Sequence, residues 1–243
     1  TLEGKQGLEF VSVPGFSSPY IGREGAAFAE RNDCVLVMDT PQSDTSYQAV
    51  VGFVQGELAL ESSHLALYAP WIKMGDPRSS TRRIEVPPAV FAGATWSVPS
   101  RAGSHSSPAN VRLLGPDEPS IRFTADQLGS LNQDLAVNVI RHIEGQGFRV
   151  MGARTRHAGN DSRKFVNVRR WLNHFKRTIK VRLAGVVFAP ANEATMDLVA
   201  STLRSFLSAE HSMGALYPRN PADAYRVKCD AETTTAADLG AGR

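Results

Sequence analysis

The segment Cys34–Pro41, CVLVMDTP, decides the fold class. Its first five residues are a continuous apolar run of strand length, the pattern of a strand buried on both faces of a parallel sheet. Asp39, Thr40 and Pro41 end it, because proline has no amide to donate to a ladder. A second run, His64–Trp71 (HLALYAPW), breaks in the same way at Pro70. Gly25–Asn32 reads as a short helix before the first run, and Tyr47–Leu60 as a helix after it, weakened by Gly52 and Gly56. Leu8–Val13 supplies at most one short strand ahead of both. Strands alternating with helices predict an α/β domain. Asp39 carries two readings: a turn-capping carboxylate, or a ligand-binding group at a strand's C-terminal end.

Further along, Lys73–Arg83 reads as a polar loop and Val86–Trp96 (VPPAVFAGATW) as a small-residue helix opened by proline. Ser97–Asn110 is a Ser, Gly and Pro loop. Thr124 and Gln127 form a capping box. The stripe Leu128, Leu131, Leu135 and Val139 extends the helix they open through Ile143. Phe148–Ala153 and Val181–Phe188 read as strands, and Asn192 caps a helix running through His211. Tyr225–Cys229 alternates like an edge strand, so a smaller α+β part is expected to follow the α/β one.

Phe165–Lys180 (FVNVRRWLNHFKRTIK) is the most strongly patterned helix. Val168, Trp171, Leu172, Phe175 and Ile179 define an apolar face. Arg169, Arg170, Lys176, Arg177 and Lys180 then lie on the other side with no carboxylate among them, and are the candidate contact residues for an acidic partner. They belong to a wider cluster that also includes Arg149, Arg154, Arg156, Arg163, Lys164 and Arg182. Nucleic acid is the alternative partner, but a nucleic-acid groove wants aromatics turned outward, and Trp171 and Phe175 sit on the apolar face.

The chain has 243 residues, 42% of them hydrophobic and 21% charged, enough for one large domain or two small ones. A net charge of +3 and a pI near 9.0 are too mild to identify a nucleic-acid binder. Two cysteines, Cys34 and Cys229, make neither a disulfide framework nor a zinc site. No apolar run approaches the roughly 20 residues of a membrane span. P-loop, dinucleotide, HExxH, GxSxG and CxxC signatures are absent, and the six histidines are scattered. Neither a catalytic site nor a metal or cofactor is expected. The start at Thr1 and the ending LGAGR read as those of a fragment.

Eight strings occur in order: ERNDCVLVMDTP from Glu30, LALYAPWIKMGDP from Leu65, VPPAVFAGA from Val86, SPAN from Ser107, GFRVMGARTR from Gly147, FVNVRRWLNHF from Phe165, FAPAN from Phe188 and YRVKCD from Tyr225. Together they resemble the contractile tail sheath family of phage tails and contractile injection systems. The resemblance implies a subtilisin-like sheath domain without a protease triad over residues 1–160, and a truncated C-terminal sheath domain over 161–243. It implies a non-enzymatic subunit that polymerises as stacked hexameric rings around a tail tube. Terminal arms would lend strands to neighbouring subunits. Contraction, triggered at the baseplate, would drive the tube through a target envelope. The expected partners are other sheath subunits, the tube protein and the baseplate, with no membrane. Assembly is expected in the host cytoplasm, into a virion tail or an injection particle. The loop SVPSRAGSHS departs from the family pattern, and the sequence stops before the family's C-terminal strand.

Overall fold

In the computed structural model, which describes residues 7–97, 103–230, 232, 233 and 237, two compact units divide between His174 and Phe175. The first is built on the two apolar runs. They form β2 (Val35–Asp39) and β3 (Leu65–Ala69), whose residues are all buried. With β1 (Phe10–Ser12), β7 (Val137–Ile143) and β8 (Gly147–Met151) they make a sheet of order β1-β2-β3-β7-β8. The first four strands are parallel and β8 is antiparallel to β7.

Alternation along these strands sends side chains to two separate cores. Leu36, Met38, Leu65, Leu67 and Val139 pack on one face with α1 (Pro19–Arg31), α2 (Tyr47–Gly52), the π-helical turn Phe53–Leu58 and α4 (Ala125–Gln133). Val35, Val37, Ala66, Tyr68 and Ile140 pack on the other with α3 (Pro88–Ser97) and Val166. Gly22 lets α1 approach closely, since a Cβ there would lie 2.6 Å from Leu58 Cδ1. A second sheet, β5-β4-β6, joins β4 (Ile72–Gly75), β5 (Arg83–Val86) and β6 (Glu118–Pro119) in antiparallel pairs.

The mixed α/β class agrees with the sequence reading, and several elements differ from it. The first helix starts at Pro19, where Ser18 Oγ caps the Ile21 amide and proline occupies the opening turn. Both ends of the expected 73–83 loop are strand, as the Lys73–Glu85 and Met74–Ile84 pairs show. The capping box at Thr124 and Gln127 is present, but its helix stops at Gln133. Ala136 turns left-handed (φ 51°), and the branched residues beyond it pair between β3 and β8. Residues 98–102 of the serine-rich loop and the terminal LGAGR lie outside the described residues.

In the second unit, Asn192 Oδ1 caps the Thr195 amide at 2.9 Å, opening α6 (Glu193–Ser212) as expected. Phe206 of α6 is buried, with Phe175 tilted against it at 5.6 Å and the Arg182 guanidinium over its ring at 5.3 Å. Neither Val181–Phe188 nor Tyr225–Cys229 is a strand. The basic helix α5 (Val166–Arg182) runs on into a short 3-10 turn, and Tyr225–Cys229 follows the short helix α7 (Pro221–Ala224) without a ladder partner. Among its described residues this unit is helical, not α+β.

Asp39 is a cap. Its two oxygens accept the Gly15 amide at 2.9 Å and the Ala89 amide in the first turn of α3 at 2.5 Å. Burial pushes its carboxyl up to about 6, against the opposing pull of these two amides. Because the folded value exceeds the unfolded 3.8, this group's stability contribution is full below pH 3.8 and is lost as pH rises through 6. The stability difference between wild type and Asp39→Asn, from urea melts, is therefore expected to shrink by about 2 kcal/mol from pH 4 to pH 7. A difference independent of pH would remove Asp39 as the titrating group.

Candidate functional site

The helix singled out for partner contact buries a different face from the apolar one over its first half. Val166, Arg169, Arg170 and Asn173 are its buried residues, spaced i, i+3, i+4, i+7. Val168, Trp171, Leu172 and Phe175 are half-buried, and Ile179 likewise. Arg169 and Arg170 therefore do not belong to an exposed contact face, and this corrects the sequence reading. The physical reason is a set of acceptors that hydrophobic periodicity cannot register.

Arg170 has almost no exposed side-chain surface. Its Nη2 donates to Glu9 Oε2 at 2.8 Å and its Nη1 to the Ser106 carbonyl at 3.3 Å. The guanidinium lies 5.2 Å from the centre of the Trp96 ring, whose Nε1 donates to Tyr68 Oη at 3.0 Å. Burial pushes the Tyr68 phenol above its usual range, opposed by the Trp96 hydrogen bond and the Arg170 charge. Arg169 Nη1 donates to Ser63 Oγ at 3.1 Å, and burial, then the nearby Arg163 charge, lowers its guanidinium pKa. Asn173 Nδ2 donates to the Cys34 carbonyl at 3.1 Å, at the entrance to β2. The first half of α5 is thus fastened across the β2 and β3 entrances, the Trp96 ring and the chain before β1.

Much of the remaining basic cluster is also structural. Arg156 Nε donates to the Leu60 carbonyl at 3.3 Å and its Nη1 to the Leu135 carbonyl. Arg154 Nε donates to Asn132 Oδ1 at 3.1 Å, Arg149 Nη1 to the Asn110 carbonyl at 2.5 Å, and Arg163 pairs with Asp161 at 2.7 Å. Lys176 and Lys180 are exposed and Arg177 is half-buried, so these three of the five expected contact residues retain surface. A nucleic-acid face on this helix loses Arg169 and Arg170 to the core. Among the described residues, no group of three His, Cys, Asp or Glu is placed to hold a metal, and no helix is long and apolar enough to cross a membrane.

No protein-family model matches the chain, and no curated protein does. Solved structures do. A chain of the anti-feeding prophage (AFP) baseplate is 25% identical, with a TM-score of 0.79 over 100% of this chain. The contracted sheath complex of the extracellular contractile injection system PVC gives 24% identity and a TM-score of 0.83, again over 100%. The contracted AFP helical sheath gives 26% and 0.77 over 97%. The chain spans 64%, 66% and 63% of those chains, less than two thirds of each. The resemblance read from the residue strings is borne out: the fold is that of contractile sheath proteins.

Removing Arg170 breaks its ion pair with Glu9 and empties the space over Trp96. Arg170→Ala is expected to cost about 3 kcal/mol, and Asn173→Ala about 1 kcal/mol through the lost carbonyl hydrogen bond. Chemical denaturation measures both; an Arg170→Ala variant as stable as wild type would show that the pair contributes nothing.

Proposed function

We propose that the chain is a structural, non-enzymatic subunit of a contractile tail sheath. It would assemble with other copies as stacked hexameric rings around a tail tube and contract to drive the tube through a target envelope. The observation that supports this is a likeness to chains of two injection systems that runs over the whole of this chain. The α/β part would serve as the subtilisin-like sheath domain (residues 1–160) and the remainder as the C-terminal sheath domain (161–243). The boundary at 160 precedes α5, whose first half is packed in the α/β unit.

In this role the chemistry is mechanical. Contraction would be a change of packing between bodies that keep their own cores. The fastening of α5 suits a subunit that must transmit force without unravelling. Lys176, Arg177 and Lys180 would face an acidic surface on the tube or on a neighbouring subunit, an attraction that weakens with salt where it stays exposed. Host-cytoplasmic assembly and baseplate attachment follow from the same role.

Electron microscopy of the protein co-expressed with a tail tube protein tests the proposal. Rings or tubes with sixfold averages are expected, and their loss is expected in a Lys176→Glu, Arg177→Glu, Lys180→Glu variant that still folds. Particles that never form with wild type would refute the sheath role; particles unaffected by the triple reversal would refute the contact assignment alone.

A further inference from the structure

The register of the main sheet places three arginines side by side. Arg141 of β7 is directly opposite Arg149 of β8, and Arg149 bridges in turn to Arg112. The segment bearing Arg112 is hydrogen-bonded along β8, with the Asn110 amide donating to the Val150 carbonyl at 2.7 Å and the Leu113 amide to the Phe148 carbonyl at 2.8 Å. Cross-strand neighbours share a face, and like charges directly opposite destabilise a sheet. None of the three makes an ion pair among the described residues; Arg149 Nη1 donates to the Asn110 carbonyl and Oδ1, neutral acceptors that hold the side chain in place and leave its charge uncompensated. The Nε atoms of Arg141 and Arg149 are buried without a hydrogen-bond partner.

Two adjoining clefts of about 430 and 650 Å³ lie at this edge, the first lined by Arg141 and the second by Arg112. They share Asp117, Arg122, His142 and Phe148. The nearby carboxylates already have cations of their own, Arg83 against Asp117 at 3.8 Å and Arg122 against Glu118 at 3.3 Å. Leu114, 81% exposed, stands on the rim of the larger cleft. The edge therefore presents a row of uncompensated positive charge beside an exposed aliphatic side chain.

We infer that the Arg112–Arg149–Arg141 row docks an acidic helical segment of a partner protein, with Leu114 meeting an apolar residue beside the acids. Adjacent strands lie about 4.8 Å apart, so the three rungs repeat at nearly the 5–6 Å between side chains at i, i+3 or i+4 on a helix. Glutamates on one helical face match that row in sign and spacing. Nucleic acid fits less well, because the exposed apolar group beside the row is leucine and offers no stacking platform. The inference goes beyond the sheath role and does not depend on it.

Fluorescence anisotropy of the full chain with an alanine-rich helical peptide of about 16 residues, carrying glutamates at i, i+4 and i+7 and one leucine, provides the test. Binding is expected to weaken with salt and to fall at least about tenfold in an Arg112→Gln, Arg141→Gln variant. The melting temperature of that variant should hold or rise as like charges are removed. Equal binding by wild type and variant, or by a peptide with its glutamates scattered around the helix, would overturn the docking row. Tighter binding of an oligonucleotide than of the peptide would overturn the choice of partner.

Discussion

A buried guanidinium sets the terms for the α/β unit. Arg170 is charged and almost sealed from water, a state that is costly unless the charge is paired and hydrogen-bonded. Its partners come from Glu9 before β1, from Ser106 in the serine-rich loop and from Trp96 in α3. Three segments distant in sequence therefore meet at this one charge. Arg169 and Asn173 add hydrogen bonds to Ser63 and Cys34, at the entrances to the two strands buried on both faces. Displacing any of these segments costs a contact to α5.

How far the sequence discloses this depends on what each part of it responds to. The apolar runs at 35–39 and 65–69 were legible because a strand buried on both faces needs nothing but apolar residues. The caps at Thr124 and Asn192 were legible because the capping groups are local. By contrast, Leu131, Leu135 and Val139 continue a helical stripe past the point where the chain turns at Ala136 and becomes β7. Only the flanking strands decide that case. In α5 two stripes of identical spacing compete, one apolar and one containing Arg169, Arg170 and Asn173. Hydrophobicity selects the first, whereas the tertiary acceptors select the second for the half of the helix in the α/β unit. The arginine row is invisible to local pattern, because residues 112, 141 and 149 become neighbours only through register, and the helical stripe of the sequence places Arg141 in a helix.

The basic cluster changes meaning accordingly. Eleven cations from Arg149 to Arg182 look from the sequence like one electrostatic footprint. Arg149, Arg154, Arg156, Arg169 and Arg170 instead bond carbonyls, side-chain oxygens or a carboxylate within the unit, and most of these contacts join segments far apart in sequence. In the proposed sheath, that arrangement lets one element provide both rigidity and recognition. The cations on the first half of α5 secure the helix, and the proposed contact would fall to Lys176, Arg177 and Lys180 on its second half.

The central structural claim is that the first half of α5 is an integral part of the α/β core. Native-state hydrogen exchange of the Trp171, Leu172 and Asn173 amides, followed across denaturant alongside those of Leu36 and Leu67, measures it most directly. The helix amides are expected to open only with the sheet, at the same free energy and with the same denaturant dependence. Exchange of those helix amides through a separate, lower-energy opening while the strand amides stay protected would contradict it.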